Sequence, residues 1–377
     1  MSEFDDIRPF ERGEVKPAVE SLLHDRQFMT MLHGLVPLPK GMIRGIVRML
    51  FIGVNTPLDF QLRYMKHIVR YVLRKCTDGC TFGGHPTPMK TQHHTYVSNH
   101  RDIVLDSAIL DLKLIEAGYD NTVEIAIGDN LLIYPWIRTL VKLNKAFTVK
   151  RGLSVRQLME SSQLMSRYIH HCITEKGENI WIAQREGRAK DSDDRTQESV
   201  LKMLSYGGNI SELNIVPLTI SYEYDPCDYL KAKEFQLKRD NPQYKKSKQD
   251  DLENMKTGIW GYKGRIHYEC APCINEWLPE IEGLPKNEFF AALATRMDKA
   301  IHAGYTLYPN NYIAADELDG TTTFANHYTD ADVKKFNEYL AGQLAKIDIP
   351  DKDEPFLRER MLTMYANPLR NKLKSEA

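Results

Sequence analysis

A net charge of −1 over 377 residues gives no reason to expect a nucleic-acid binder, although basic residues cluster locally. A hydrophobic fraction of 42% is enough for one large core with additions, or for two small ones. Six cysteines in a chain this long do not make a disulfide framework, which points to a reducing, cytoplasmic setting.

Residues 1–8 are charged and lack an apolar signal region. No run approaches the roughly 20 apolar residues of a membrane span, so the expectation is a soluble or peripheral protein. Residues 1–29 read as a loose polar lead-in with one helix near 18–26, and 35–39 as a stiff turn. Residues 41–54 come next, with Arg44 and Arg48 four apart on one helical face among Met42, Ile43, Ile46, Val47, Met49, Leu50 and Phe51. A second basic helix carries Arg63, Lys66, His67, Arg70, Arg74 and Lys75 among apolar residues. Apolar faces edged with cations suit anionic lipid headgroups, so residues 41–75 are the expected membrane-docking surface. The same amphipathicity also suits a helix pair packed on the main domain. Residues 77–90, rich in Gly, Thr and Pro, read as a linker.

From about residue 91 strand-like and helix-like runs alternate. The strands fall at 94–98, 123–128, 146–150, 179–184, 214–222 and 264–268. The helices fall at 106–116, 136–143, 155–174, 195–204 and 288–303. Alternation of this kind predicts an α/β fold with a mostly parallel sheet flanked by helices. Pro217 within a strand suits an edge or strand-start position. Residues 228–256 are strongly charged and read as a solvated, partly helical excursion. The tail has helix-like stretches at 330–344 and 355–365. The predicted organisation is an N-terminal helical segment over 1–88, an α/β domain over 89–310 and a helical extension over 311–377.

The chemistry gathers at the predicted strand ends, where ligands of such sheets collect. The first strand ends in Asn99-His100, and Asp106 opens the next helix. Imidazole beside carboxylate is the usual device for taking a proton from a hydroxyl. The same residues also serve as a turn histidine and a helix cap. Asp102 is a rival partner for His100, but it lies only two residues away, where contact with the ring is harder. Two later strands end in cations: Lys150 and Arg151 after one, and Arg185-Glu186-Gly187-Arg188-Ala189-Lys190 after the other. A base facing several cations suits a substrate with a hydroxyl and a phosphate. Gly187 lets backbone approach a ligand. Cys76, Cys80, Cys270 and Cys273 lack regular paired spacing and a supporting histidine, so no metal is expected. No Gly-x-Ser-x-Gly elbow argues for a hydrolase.

These residues resemble the glycerolipid acyltransferases, the family of glycerol-3-phosphate and 1-acylglycerol-3-phosphate acyltransferases. Its first block, Asn-His-x4-Asp, is similar to Asn99-His100 through Asp106, with five residues in place of four. Its second, Gly-Ala-Phe-Phe-Ile-Arg-Arg, resembles Lys145-Ala146-Phe147-Thr148-Val149-Lys150-Arg151, with Lys145 for the glycine. Its third, Glu-Gly-x-Arg, resembles Glu186-Gly187-Arg188 with the spacer lost, leaving Arg188 or Lys190 for the arginine's role. The fourth, an apolar-Pro strand running into Ser-Tyr-Glu, resembles residues 216–223, and 264–272 resemble the strand-then-Pro element that succeeds it. The ordered match covers roughly residues 90–310.

The resemblance implies acyl transfer to a hydroxyl of a glycerol-phosphate-type acceptor in phospholipid synthesis. The donor would be acyl-CoA or acyl carrier protein, with no cofactor, because a thioester is already activated. His100 would act as base, oriented by Asp106. Asn99, Lys150, Arg151, Glu186, Gly187, Arg188 and Lys190 would form the substrate site. The implied setting is peripheral to the inner face of the membrane. A non-glycerol acceptor such as an aminolipid, or a non-catalytic lipid-binding protein, are the alternatives.

Overall fold

The computed structural model describes residues 2–35, 38–86 and 92–377. Among them seven strands form one sheet. Its order is β1 (Gly79–Gly83), β7 (Arg265–Cys270), β6 (Ile215–Tyr222), β2 (Thr95–Ser98), β5 (Asn179–Ala183), β3 (Val123–Gly128) and β4 (Ala146–Val149). Strands β2 to β6 are parallel, β7 runs antiparallel to β6, and β1 runs parallel to β7. The five parallel strands therefore present their carboxyl ends along one edge.

All four residues of β2 are buried, as a central parallel strand requires. Period-two alternation sends Tyr96 into the core on one face and Val97 into the core on the other.

The N-terminal helices α1 (Val15–His24), α2 (Arg26–Leu35) and α3 (Lys40–Leu50) pack with α4 (Pro57–Phe60) around Leu23, Met29 and Phe60. Thr56 and Asp59 form a capping box at α4, with Pro57 at its first position. A π-turn over Gln61–Met65 leads into α5 (Lys66–Cys76), which with α6 (Leu105–Glu116) covers one face of the sheet. Helix α7 (Pro135–Leu143) joins the N-terminal group through Leu143. The opposite face is covered by α8 (Val155–His171), α9 (Glu198–Leu204) and, later in the chain, α12 (Lys286–Ala303). Helix α10 (Asp228–Asp240) packs with α13 (Pro309–Asp319), α14 (Asp330–Leu344) and α15 (Glu354–Glu376) in a separate core, while α11 (Lys248–Trp260) contacts α5. No described helix is long and apolar enough to cross a membrane.

The fold is the expected mostly parallel sheet flanked by helices, with a helical tail, and several local expectations need correction. The lead-in is not loose. The Ile7 carbonyl accepts the Thr148 N–H at 3.0 Å on the outer edge of β4, and Phe4 packs on Tyr168. Residues 79–83 are a strand rather than linker, and β1 lies ahead of position 88 yet belongs to the sheet. The rest of the linker expectation, at 87–90, and residues 36–37 of the stiff turn lie outside the described residues.

Strand β6 is central, not an edge. The Pro217 carbonyl accepts the Ala271 N–H at 2.8 Å, one residue before the β6–β7 ladder begins at Leu218 and Cys270. The absent N–H of Pro217 faces the end of β7, so no ladder bond is lost. The charged stretch 228–256 is not solvated throughout, since Lys231, Glu234 and Gln236 of α10 are buried. Residues 309–319, not foreseen as a helix, form α13 behind Pro309 at its first turn.

Candidate active site

Strand β2 ends at Ser98, and Asn99 fixes the turn after it. Its amide oxygen accepts the Ile220 N–H at 2.8 Å and its Nδ2 donates to the Ile220 carbonyl at 3.0 Å. Nδ2 also donates to the Tyr305 hydroxyl at 3.3 Å. Asn99 is fully buried, and this reciprocal pair carries the β2–β6 junction past the last ladder residue. Asn99, expected in the substrate site, has its side chain engaged with protein and positions the turn.

His100 comes next, with 15% of its side chain exposed and its Nδ1 2.8 Å from Asp106 Oδ2. Asp106 is almost wholly buried and accepts two backbone N–H groups, from Arg101 at 2.7 Å and from Asp102 at 3.0 Å. A carboxylate held this way directs the Nδ1–H of the imidazole toward itself and leaves the lone pair of Nε2 outward. The Trp181 ring lies edge-on to His100 at 5.6 Å and donates its Nε1–H to Ser98 Oγ at 3.1 Å. The extra residue of the first block is absorbed in this turn.

Asp102 caps the helix that Asp106 was expected to cap. Its Oδ1 accepts the N–H groups of Val104 and Leu105, each at 2.8 Å, at the start of α6. Burial, reinforced by the Asp106 charge, raises its carboxyl above the usual range. Helix α11 lies so close against it that a Cβ at Gly258 would overlap Asp102 Oδ2.

Arg101 points the other way, into the protein. It donates to Ser192 Oγ at 2.7 Å and Asp225 Oδ2 at 3.0 Å, and it lies 3.4 Å from Asp194 Oδ2. Burial opposes charge on Asp225, but Lys231 and Arg101 outweigh it and hold the carboxyl at about 2. Burial instead raises Asp194, despite Arg101 nearby. Behind Arg101 a cavity of about 20 Å³, bordered by Ser192, Tyr305 and Pro368, is large enough for one water.

The cations stand on the same edge as His100, but not equally close. Neighbouring strands are about 4.8 Å apart. In the order β2-β5-β3-β4, the Arg185–Lys190 loop is one strand from His100 and Lys150 is three, on the order of 14 Å. Arg151 shortens that gap by pairing with Glu186 on the β5 loop, while its N–H donates to Asp129 Oδ1 at 3.0 Å. Lys150 is half-buried with no ion pair among the described residues. Arg188 donates through Nη2 to Asn254 of α11 at 3.1 Å. Arg188 Nη1 and Arg185 Nε are buried without a hydrogen-bond partner among the described residues, and unsatisfied cationic N–H groups are strong sites for an anion.

Lys190, one of two candidates for the arginine of the third block, is turned away and pairs with Glu234 of α10. Gly187 has φ +70° with open space where a Cβ would stand, so backbone conformation rather than crowding calls for glycine there. The glycine of the second block has a matching reason. Lys145 occupies that position at φ 59°, a left-handed conformation, and its buried Nζ pairs with Glu178 at 2.6 Å.

Sequence reasoning did not single out Arg185 within its loop, nor Asp129, Asp194 and Asn254. Arg185 heads a loop already marked by its cations. The others carry no local signal, because only folding brings them to the strand ends. Among the described residues no three His, Cys, Asp or Glu side chains converge as a metal-ligand set.

No protein-family model matches the chain, and no curated protein matches it in sequence. Among solved structures it is similar to the 1-acyl-sn-glycerophosphate acyltransferase PlsC of Thermotoga maritima. That likeness has 11% identity and a TM-score of 0.41, and covers 76% of this chain and 94% of that one.

Proposed function

We propose that the chain is an O-acyltransferase that moves a fatty acyl group from acyl-CoA or acyl carrier protein to a hydroxyl of a glycerol-phosphate-type acceptor. The observation that carries this reading is the buried Asp106 holding His100 at 2.8 Å beside a loop of cations with unsatisfied N–H groups. The four sequence blocks, ordered along the chain and all reaching the same edge of the sheet, support it.

His100 Nε2 takes the proton of the acceptor hydroxyl as its oxygen attacks the thioester carbonyl. The tetrahedral intermediate collapses, the C–S bond breaks, and the imidazolium returns the proton to the departing thiolate. The developing imidazolium faces the Asp106 carboxylate, which favours this transfer. Arg151 and Arg188 hold the acceptor phosphate, with Lys150 behind them, and Glu186 orients Arg151. Lys190 has no part in this reading.

The acceptor and product require lipid access. Helix α3 and the turn after it expose Met42, Met49 and Ile52, the last at 73%. This face would meet the membrane. Phe51 is not part of it, because its ring stacks on Phe60 and Tyr64. Replacing Met42, Met49 and Ile52 with serine should reduce binding to vesicles; unchanged binding would remove this surface from the proposal.

The deciding experiment is product formation from radiolabelled acyl-CoA and acyl carrier protein, with glycerol-3-phosphate and 1-acylglycerol-3-phosphate in vesicles. Transfer to one acceptor by the wild type, lost in His100→Ala, is expected. Full activity in a well-folded His100→Ala protein overturns the mechanism. No transfer to either acceptor moves the reading to an aminolipid or to lipid binding without catalysis.

A further inference from the structure

Between residues 26 and 77 the chain carries nine Lys and Arg residues and a single carboxylate, Asp59. The chain as a whole is almost neutral, so this is a local excess, reduced in space where Arg48 pairs with Glu20 and Arg70 with Glu116. Helix α5 lies within it. On its outer side Ile68 and Tyr71 are 51% and 47% exposed. They are three apart, and Lys75 comes four later, so they share one face. The buried residues of α5, Val69, Val72, Leu73 and Cys76, lie on the other side.

This face does not end with α5. Trp260, the last residue of α11, is 53% exposed, and its ring stands 6.4 Å from that of Tyr71 in an edge-on arrangement. Cys76 Sγ donates to the Trp260 carbonyl at 3.4 Å, which fixes the two helix ends together. At the other end, Arg63 donates to the Ile52 carbonyl at 3.1 Å and Tyr64 donates to the Leu50 carbonyl. Exposed apolar residues thus run from the turn after α3, along α5, to α11. Arg74 and Lys75 beside Tyr71 have no ion pair among the described residues.

We propose that the seam of α5 and α11, with Ile68, Tyr71 and Trp260 at its centre and His67, Arg74 and Lys75 at its rim, is a seat for an anionic lipid surface. Trp and Tyr are favoured at the headgroup boundary, where the ring is partly buried and its polar edge stays wet. Unpaired Lys and Arg around them meet anionic headgroups. An acidic protein partner would use the same charge, but Ile68, Tyr71 and Trp260 stand out as exposed side chains rather than lining a buried pocket of the kind that holds a protein anchor. The seat also reaches the site. Two residues before Trp260, Gly258 packs on Asp102, and Asn254 on the same helix accepts from Arg188.

The test is vesicle co-sedimentation with neutral phosphatidylcholine and with phosphatidylcholine containing phosphatidylglycerol, using the full chain. The double variant Tyr71→Ser/Trp260→Ser should lower partition onto anionic vesicles by roughly tenfold or more. Arg74→Glu/Lys75→Glu should abolish the preference for anionic over neutral vesicles. Brominated lipid should quench wild-type tryptophan fluorescence, and Trp260→Phe should lose most of that quenching while keeping its melting temperature. Wild-type partition in both double variants, or quenching unchanged in Trp260→Phe, overturns the proposal. So does binding of an acidic carrier protein through these residues without vesicle binding. The readout needs no turnover and His100→Ala should bind as the wild type does, so this seat and acyl transfer stand or fail separately.

Discussion

Arg151 and Glu186 form an ion pair that joins the loop after β4 to the loop after β5, across the end of the intervening β3. It draws Arg151, but not Lys150, toward the loop beside His100. In the proposed acyl transfer, the pair sets whether Arg151 reaches a small acceptor. Arg151→Met should raise the acceptor KM by roughly tenfold, the scale of one charge-assisted hydrogen bond, with a smaller change in kcat. Glu186→Gln should raise it less, and the double variant should resemble Arg151→Met alone. Steady-state kinetics over a range of acceptor concentration checks this, and an unchanged KM in all three removes Arg151 from the site.

Two aspartates in the His100 turn have separate tasks, and single substitutions should tell them apart. Asp106→Asn removes the charge facing the imidazole, so kcat should fall about 10²- to 10⁴-fold. Asp102→Asn weakens the α6 cap, so it should cost about 1 kcal/mol of stability and leave kcat within about tenfold of wild type. Turnover and denaturant melts on the same preparations provide the comparison. The reverse pattern would reassign the partner of His100.

Gly258→Ala sets a methyl group against Asp102 Oδ2 at less than contact distance, so the carboxylate or α11 must shift. Melting temperature and kcat should both decrease. In an Asp102→Ala background the clash is gone, and Gly258→Ala should be nearly neutral. Additive effects of the two substitutions would show that the contact does not matter.

Burial raises Asp111 and Asp228 to about 7 each, against hydrogen bonds from Val123 N–H and Tyr365 Oη respectively that act in the opposite direction. Both carboxyls keep their protons in the folded state up to that pH, whereas in the unfolded chain they ionise near 4. The folded state binds more protons in this window, so stability is full below about pH 4 and declines as pH rises toward 7. Asp225 acts oppositely, since its value of about 2 gives stability that is lost only in strong acid. Urea melts between pH 4.5 and 7.5 should show the decline, and Asp228→Asn should flatten it. An identical slope in Asp228→Asn would mean that Asp228 does not retain its proton.

The chain's periodicity and punctuation determined much of the architecture. Strand-helix alternation fixed the parallel sheet, and the positions of Asn99-His100 and Arg185–Lys190 at strand exits came with it. Local pattern carries that information because burial on both faces of a parallel strand demands continuous apolar runs. The pairing of His100 with Asp106 was legible for the same reason, since a strand exit and the next helix start are neighbours in both sequence and space.

Tertiary structure decided what depends on distant partners. Lys190 and Arg188 lie two residues apart in one loop, yet Lys190 is taken by Glu234 of α10 and Arg188 stays beside α11. Asn99 clasps β2 to β6, because Ile220 offers it both backbone groups. Strand β1 was hidden in a Gly-rich stretch with almost no apolar pattern, and its pairing with β7 is what makes it a strand. The Tyr71–Trp260 surface joins helices far apart in sequence. In each case the deciding term is a contact between residues remote in the chain, and neither propensity nor spacing encodes which remote partner a side chain meets.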